Sequence, residues 1–122
     1  MMNLTNKRCV PCEGGARKLD LEEIAEYRDA VPDWRPEGDK LLRSVAFRDF
    51  RSVMAFLNRV AALAESEGHH PDFCVHYSRV DFAVWTHAVD GLSQNDFILA
   101  AKISQLIVEH AGHAVAGHEQ VG

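Results

Sequence analysis

Apolar residues recur at spacings of three and four along residues 50–64: Phe50, Val53, Met54, Leu57, Val60, Ala61 and Ala64. That is the period of one buried helical stripe. Asp49 is placed to cap this helix, and Gly68 suits an exit just after Glu67. A shorter helix is predicted from Asp20, where Asp20 and Glu23 fit a capping box and Leu19 and Ile24 a hydrophobic staple. Leu21, Ile24, Ala25, Arg28 and Val31 trace its stripe, with Arg28 the polar exception, and Pro32 ends it. Trp34 follows, then a turn at Pro36-Glu37-Gly38-Asp39. Residues 40–47 place Leu41, Val45 and Phe47 on one side and read as a strand. A third helix begins at Ser93, with Ser93 and Asp96 forming a second capping box. Its Phe97, Ile98, Ala100, Ala101, Ile103, Leu106, Ile107 and Ala111 leave little polar circumference. Such a helix is expected to be covered on more than one side, self-association being one way.

Between these helices, residues 73–86 alternate. Phe73, Val75 and Tyr77 are interleaved with Cys74 and His76; Val80, Phe82, Val84 and Thr86 with Asp81, Ala83 and Trp85. Two such runs joined by two residues make a hairpin. A turn at Ser78-Arg79 pairs Tyr77 with Val80, Val75 with Phe82 and Phe73 with Val84. One face is then wholly apolar, and the other carries His76 with Asp81, Cys74 with Ala83 and Asp72 with Trp85. A slip of one residue mixes the faces, so the apolar pattern selects the register. Extended two steps, this register sets His70 opposite His87, and Pro71 weakens the ladder there. His69, His70 and His87 are therefore expected to meet at the open end of the hairpin, with Asp96 just beyond.

Composition sharpens this picture. All seven histidines fall in the last 54 of 122 residues. Residues 1–61 carry 11 Lys+Arg and 10 Asp+Glu, whereas residues 62–122 carry only Arg79 and Lys102 against 8 acids. A surface that binds nucleic acid needs fixed positive charge for phosphates, and the histidine-rich half has almost none. No run approaches the roughly 20 apolar residues of a membrane span. The first 18 residues lack the apolar stretch of a signal peptide. Three cysteines cannot all pair within one chain, so a soluble cytoplasmic protein is expected. Residues 1–18 read as a flexible tail containing a lone Cys9-Val10-Pro11-Cys12. Residues 19–112 form the domain, and residues 113–122 a frayed tail.

Histidine, with a free pKa of about 6.5, moves protons in either direction near neutrality. Two or three imidazoles around one pocket can protonate a leaving group and deprotonate its neighbour. His76 beside Asp81 reads as a solvated pair. His110, His113 and His118 lie near or beyond the end of the last helix, where an imidazolium suits the dipole terminus. Adjacent histidines rarely aim at one ion, and no carboxylate or cysteine has familiar ligand spacing, so no metal is expected. No serine or cysteine is linked by spacing to a histidine and an acid, and no glycine-rich phosphate loop follows a strand. The residues thus describe a small α+β domain with a histidine cluster suited to acid–base work.

The string Glu65-Ser66-Glu67-Gly68-His69-His70-Pro71-Asp72-Phe73, then Tyr77, Thr86-His87, Gly91-Leu92-Ser93 and Asp96, closely resembles the signature of the pterin-4a-carbinolamine dehydratases. The likeness reaches upstream through Trp34 and Phe47-Arg48-Asp49-Phe50. It implies an α+β fold: a four-stranded antiparallel sheet with three helices packed on one face, in subunits that associate as dimers or tetramers. It also implies dehydration of 4a-hydroxytetrahydropterin to quinonoid dihydropterin, which recycles the cofactor of aromatic amino-acid hydroxylases without a metal or organic cofactor. By the same resemblance His69 and His87 match the general acid/base histidines, and His70 matches the histidine that binds and orients the pterin. Glu65 and Asp96 match acidic positions at the edge of the site. Trp34 is a candidate wall for the flat ring, with an ordinary core tryptophan as the alternative. The family also includes non-catalytic assembly factors and a transcriptional cofactor. Retention of all three histidines favours the enzyme.

Overall fold

The computed structural model describes residues 3–11 and 15–111. Cys12, His113, His118 and the expected C-terminal tail lie outside the described residues. Helix α1, Leu21–Arg28, begins as the sequence dictates: the Asp20 side chain accepts from the Glu23 N–H, and the Glu23 side chain accepts from the Asp20 N–H. It ends three residues before the expected Val31, because the chain tightens into single turns from Tyr27 onward. The expected stripe is not a buried face: no residue of α1 is buried, and Leu21 is 84% exposed. The helix is held at its ends instead. Leu19 is buried with its N–H on the Leu92 carbonyl, and the Tyr27 ring leans on Phe97.

The four-stranded sheet runs β1-β2-β4-β3, every neighbour antiparallel. Strand β1, Arg35–Glu37, stands where the sequence suggests only a turn. It pairs with β2, Lys40–Ala46, around Gly38 in the left-handed region (φ 62°), and an edge strand tolerates Pro36. Strands β3, Asp72–His76, and β4, Arg79–Val84, form the expected hairpin, but its turn is Tyr77-Ser78 rather than Ser78-Arg79. Pairing is therefore Val75 with Val80, Phe73 with Phe82 and Cys74 with Asp81. A two-residue loop favours positive φ, and Tyr77 accepts it at 55° with its ring in solvent. The Ser78 carbonyl is fixed by the Phe47 N–H at the end of β2. The correction moves the register by two, an even number, so each residue keeps its predicted face. The ladder ends at Asp72 and Ala83, so His70 and His87 are not opposed across it.

The apolar face, with Leu41, Val45, Val80, Phe82 and Val84 buried, packs under two long helices. Helix α2, Phe50–Glu67, is capped by Asp49, which accepts from the Ser52 N–H, and closes on Gly68 at φ 67°. Its buried stripe is Val53, Phe56, Leu57, Val60 and Ala64; Phe50 and Met54, expected within it, are exposed. Helix α3, Gln94–Ala111, buries Phe97 through Ala101, Ile103 and Ile107. His110, expected near the helix end where an imidazolium suits the dipole, is buried edge-on against Phe47 and Phe56.

The second cover on α3 comes from the same chain. Residues 3–11, expected as a flexible tail, pack along it: Leu4 is buried in a short 3-10 turn, Leu4–Asn6, against α3. The Asn95 side chain bonds both the N–H and the carbonyl of Val10. Glu67 accepts from the Cys9 N–H at 2.8 Å and from Lys102 at 2.5 Å. Burial alone would push the Glu67 carboxyl up, but the Cys9 N–H and the Lys102 ammonium outweigh it and hold it below the usual carboxylate value. Among the described residues, no helix is long and apolar enough to cross a membrane.

Candidate active site

Gly68 lets the chain leave α2 in a left-handed turn, with the Gly68 and His69 N–H groups both on the Ala64 carbonyl. The turn drives His69 inward, to 5% exposure, and leaves His70 outside. Pro71 then starts the approach to β3. On the other side, β4 ends at Val84 and continues through Trp85 and Thr86 into a short turn, His87–Val89. The Thr86 N–H donates to the Gly91 carbonyl, folding that turn back beside the start of α3. These two loops face each other across a cavity of about 550 Å³, lined by Gly68, His69, His70, Asp72, Trp85, His87 and Ala88. The three histidines drawn together in the sequence reading thus share one cavity, through loop geometry rather than strand pairing. A smaller trough of about 350 Å³ on the outer sheet face shares Asp72 with it but holds no histidine.

Behind the cavity lies a buried carboxylate. Asp96 is wholly inaccessible, and its Oδ1 is 2.7 Å from His69 Nε2. Its Oδ2 accepts from Thr86 Oγ1 at 2.8 Å and from the Ser93 N–H at 2.9 Å. Oδ2 thus accepts twice, and an ionised Asp96 would take a third hydrogen bond at Oδ1 from His69 Nε2–H. Asp96, expected at the edge of the site, holds His69 from behind and does not line the cavity.

The remaining predicted residues divide. Glu65 reaches His70 Nε2 at 2.6 Å on the open rim. Trp34 does not reach the cavity. It is 1% exposed, its indole N–H donates to Ser104 Oγ at 2.8 Å, and its ring packs toward Phe82. Its ring is thus committed to the core. His76 stands 3.2 Å from Asp81 on the outer sheet face, far along the hairpin from the cavity. Among the described residues, no group of three or more His, Cys, Asp or Glu side chains is arranged to hold a metal.

Sequence reasoning missed Trp85 and Thr86. The signal for Trp85 was present: the alternation places a large aromatic on the polar face, beside the histidines. Nothing local marks Thr86, whose role appears only when α3 folds back onto it.

Comparison with known proteins identifies the family of the chain. A family model described as pterin 4 alpha carbinolamine dehydratase matches residues 17–106. A protein of Rubrobacter xylanophilus, provisionally named pterin-4-alpha-carbinolamine dehydratase, is 43% identical over 107 residues, covering 87% of this chain and all of its own. One from Chlorobaculum tepidum with the same provisional name is 42% identical over 111 residues, covering 88% of this chain and all of its own. The crystal structure of a transcriptional coactivator/pterin dehydratase from Brucella melitensis superimposes with a TM-score of 0.71 at 29% identity, covering 74% of this chain and 98% of that one. With a sheet, helices and histidine cavity of this arrangement, and relatives matching over most of its length, the chain belongs to the pterin-4a-carbinolamine dehydratase family.

Proposed function

We propose that this protein dehydrates 4a-hydroxytetrahydropterin to quinonoid dihydropterin, with His69 and His87 as its base and acid. The observation that carries the reading is the pairing of His69 with buried Asp96 across a shared cavity from His87. His69 takes the proton from the ring nitrogen beside the carbinol carbon. The electron pair of that N–H bond becomes the new C=N bond as the C–O bond breaks. The His87 imidazolium supplies the proton with which the hydroxyl leaves as water. Proton transfers of this kind need no redox partner.

His70, braced by Glu65 on the rim, orients the pterin, and a cavity of this volume suits a single bicyclic ring. The reading includes cytoplasmic recycling of the cofactor of aromatic amino-acid hydroxylases and a homo-oligomeric protein. Self-association is supported by β3, an edge strand with Phe73 45% exposed.

The test is whether the purified protein speeds loss of the 4a-carbinolamine generated by a phenylalanine hydroxylase. His69→Ala and His87→Ala are each expected to lower kcat by about 10²-fold or more, whereas His76→Ala leaves it unchanged. A rate equal to the spontaneous one refutes the reading. That outcome favours instead a non-catalytic coactivator or assembly role, the second reading, which the name of the Brucella melitensis structure supports.

A further inference from the structure

His87 presents a physical problem for a catalytic acid. Its side chain is exposed, and among the described residues no hydrogen bond or ion pair holds its ring. An unrestrained imidazole samples several rotamers, and most of them do not present a nitrogen to a substrate. The structure supplies one restraint. The imidazole lies against the indole of Trp85, ring centroids 3.8 Å apart and planes inclined by 33°.

The indole is itself fixed. Its Nε1–H donates to Asp72 Oδ2 at 3.2 Å, and Lys40 Nζ lies 5.3 Å from its centroid. The backbone between the two rings is also held, because Thr86 is buried and bonded to Gly91, Ser93 and Asp96. Residues two apart along an extended segment project to the same side, so a rigid Thr86 aims Trp85 and His87 into one cavity.

We propose that Trp85 is the positioning residue for His87, its indole face, anchored by Asp72, holding the imidazole where it serves as the acid. The catalytic consequence rests on the dehydratase reading; the positioning does not. Lys40 from β2 and Asp72 from β3 contact the indole, and His69 and His70 line the same cavity as the two rings.

Histidine-labelled full-length protein, observed by NMR at one pH, reads the arrangement without substrate, with His87→Asn identifying the resonance. In the native protein the His87 ring protons are expected upfield, shielded by the indole. Trp85→Leu is expected to abolish that shielding. Trp85→Phe recovers most of it. Asp72→Ala, which frees the indole but keeps it, weakens the shielding and provides a second perturbation if Trp85→Leu does not fold. In the dehydration assay Trp85→Leu is expected to lower kcat several-fold with KM within about twofold, and Trp85→Phe to restore it. Unchanged His87 shielding in both Trp85→Leu and Asp72→Ala overturns the proposal, as does unchanged shielding in a folded Trp85→Leu alone. Lost shielding together with a native rate equal to the spontaneous one supports the positioning and refutes the dehydratase reading, so the two fail separately.

Discussion

The most informative single change is Asp96→Asn, because the structure fixes what the amide must do. Oδ2 of Asp96 receives two donors, Thr86 Oγ1 and the Ser93 N–H, so the amide oxygen has to take that place. The amide nitrogen then replaces Oδ1, 2.7 Å from His69 Nε2, and presents a donor where an acceptor stood. His69 can keep a hydrogen bond only by moving its proton from Nε2 to Nδ1. In the proposed reaction this exchanges the donor and acceptor nitrogens of the base, while shape and packing are retained. A charge-assisted hydrogen bond contributes about 1.5–3 kcal/mol, which corresponds to a loss of about 10- to 100-fold in kcat. KM should move little, since Asp96 does not line the cavity. Two measurements check this together: steady-state dehydration of the 4a-carbinolamine, and nitrogen-15 shifts of the His69 ring, which report the tautomer. The argument fails if Asp96→Asn keeps kcat within twofold, or if His69 still carries its proton on Nε2. Asp96→Ala is a different perturbation. It leaves the His69, Thr86 and Ser93 donors without an acceptor in a sealed site, so it should cost about 3–5 kcal/mol of stability in denaturant titration.

Two further outcomes concern the N-terminal segment. Because the folded Glu67 carboxyl is held below its ordinary value of 4.5, its contribution to docking that segment is complete above that pH and is lost as the pH falls through the depressed folded value. Protection of the Cys9 amide against hydrogen exchange should therefore collapse in acid, and Glu67→Gln should remove that acid dependence; an acid dependence that is the same in Glu67→Gln would contradict it. Burial, reinforced by the Glu67 carboxylate, pushes the Cys9 thiol up to about 12, whereas Cys74 is exposed on β3. Limited alkylation at pH 8 followed by mass spectrometry should modify Cys74 well before Cys9, and equal rates would show that the segment does not stay docked.

Much of the fold was legible because its signals are local. Asp20, Asp49 and Gly68 mark helix ends by chemistry that acts within three or four residues, and each stands where the sequence put it. The errors arose where distant contacts decide. Leu21 and Met54 fit a helical stripe, yet a short helix held at its ends and a long one turned toward Phe56 leave them in solvent. The N-terminal segment has no periodicity because its docking runs through isolated contacts: Leu4 against α3, and Cys9 and Val10 bonded to residues 58 to 86 positions away. Trp34 was the candidate ring wall, yet it is Trp85 that lines the cavity. Position on the alternation separates them, since Trp85 falls on the polar face of the hairpin and Trp34 precedes a strand that no pattern announced.

The hairpin turn was displaced by one residue, yet the histidine cluster survived, and the reason bears on how this site is specified. A register change of two preserves every face, so the apolar side still packs on α2 and α3 and the polar side still ends at Trp85. What brings His69 to His87 is the pair of loops beyond the ladder, fixed by Gly68 on one side and by the Thr86–Gly91 bridge on the other. Those loops are joined by the capping chemistry of α3. The Asp96 carboxylate closes the helix start by accepting the Ser93 N–H, the reciprocal half of a capping box. The same carboxylate binds Thr86 and His69, one from each loop. A residue read in the sequence as a helix cap at the edge of the site is thus the point at which helix, hairpin and His69 are tied together. Loss of that carboxylate should disturb helix start, loop and chemistry at once, whereas loss of Glu65 on the rim should disturb only the hold on His70.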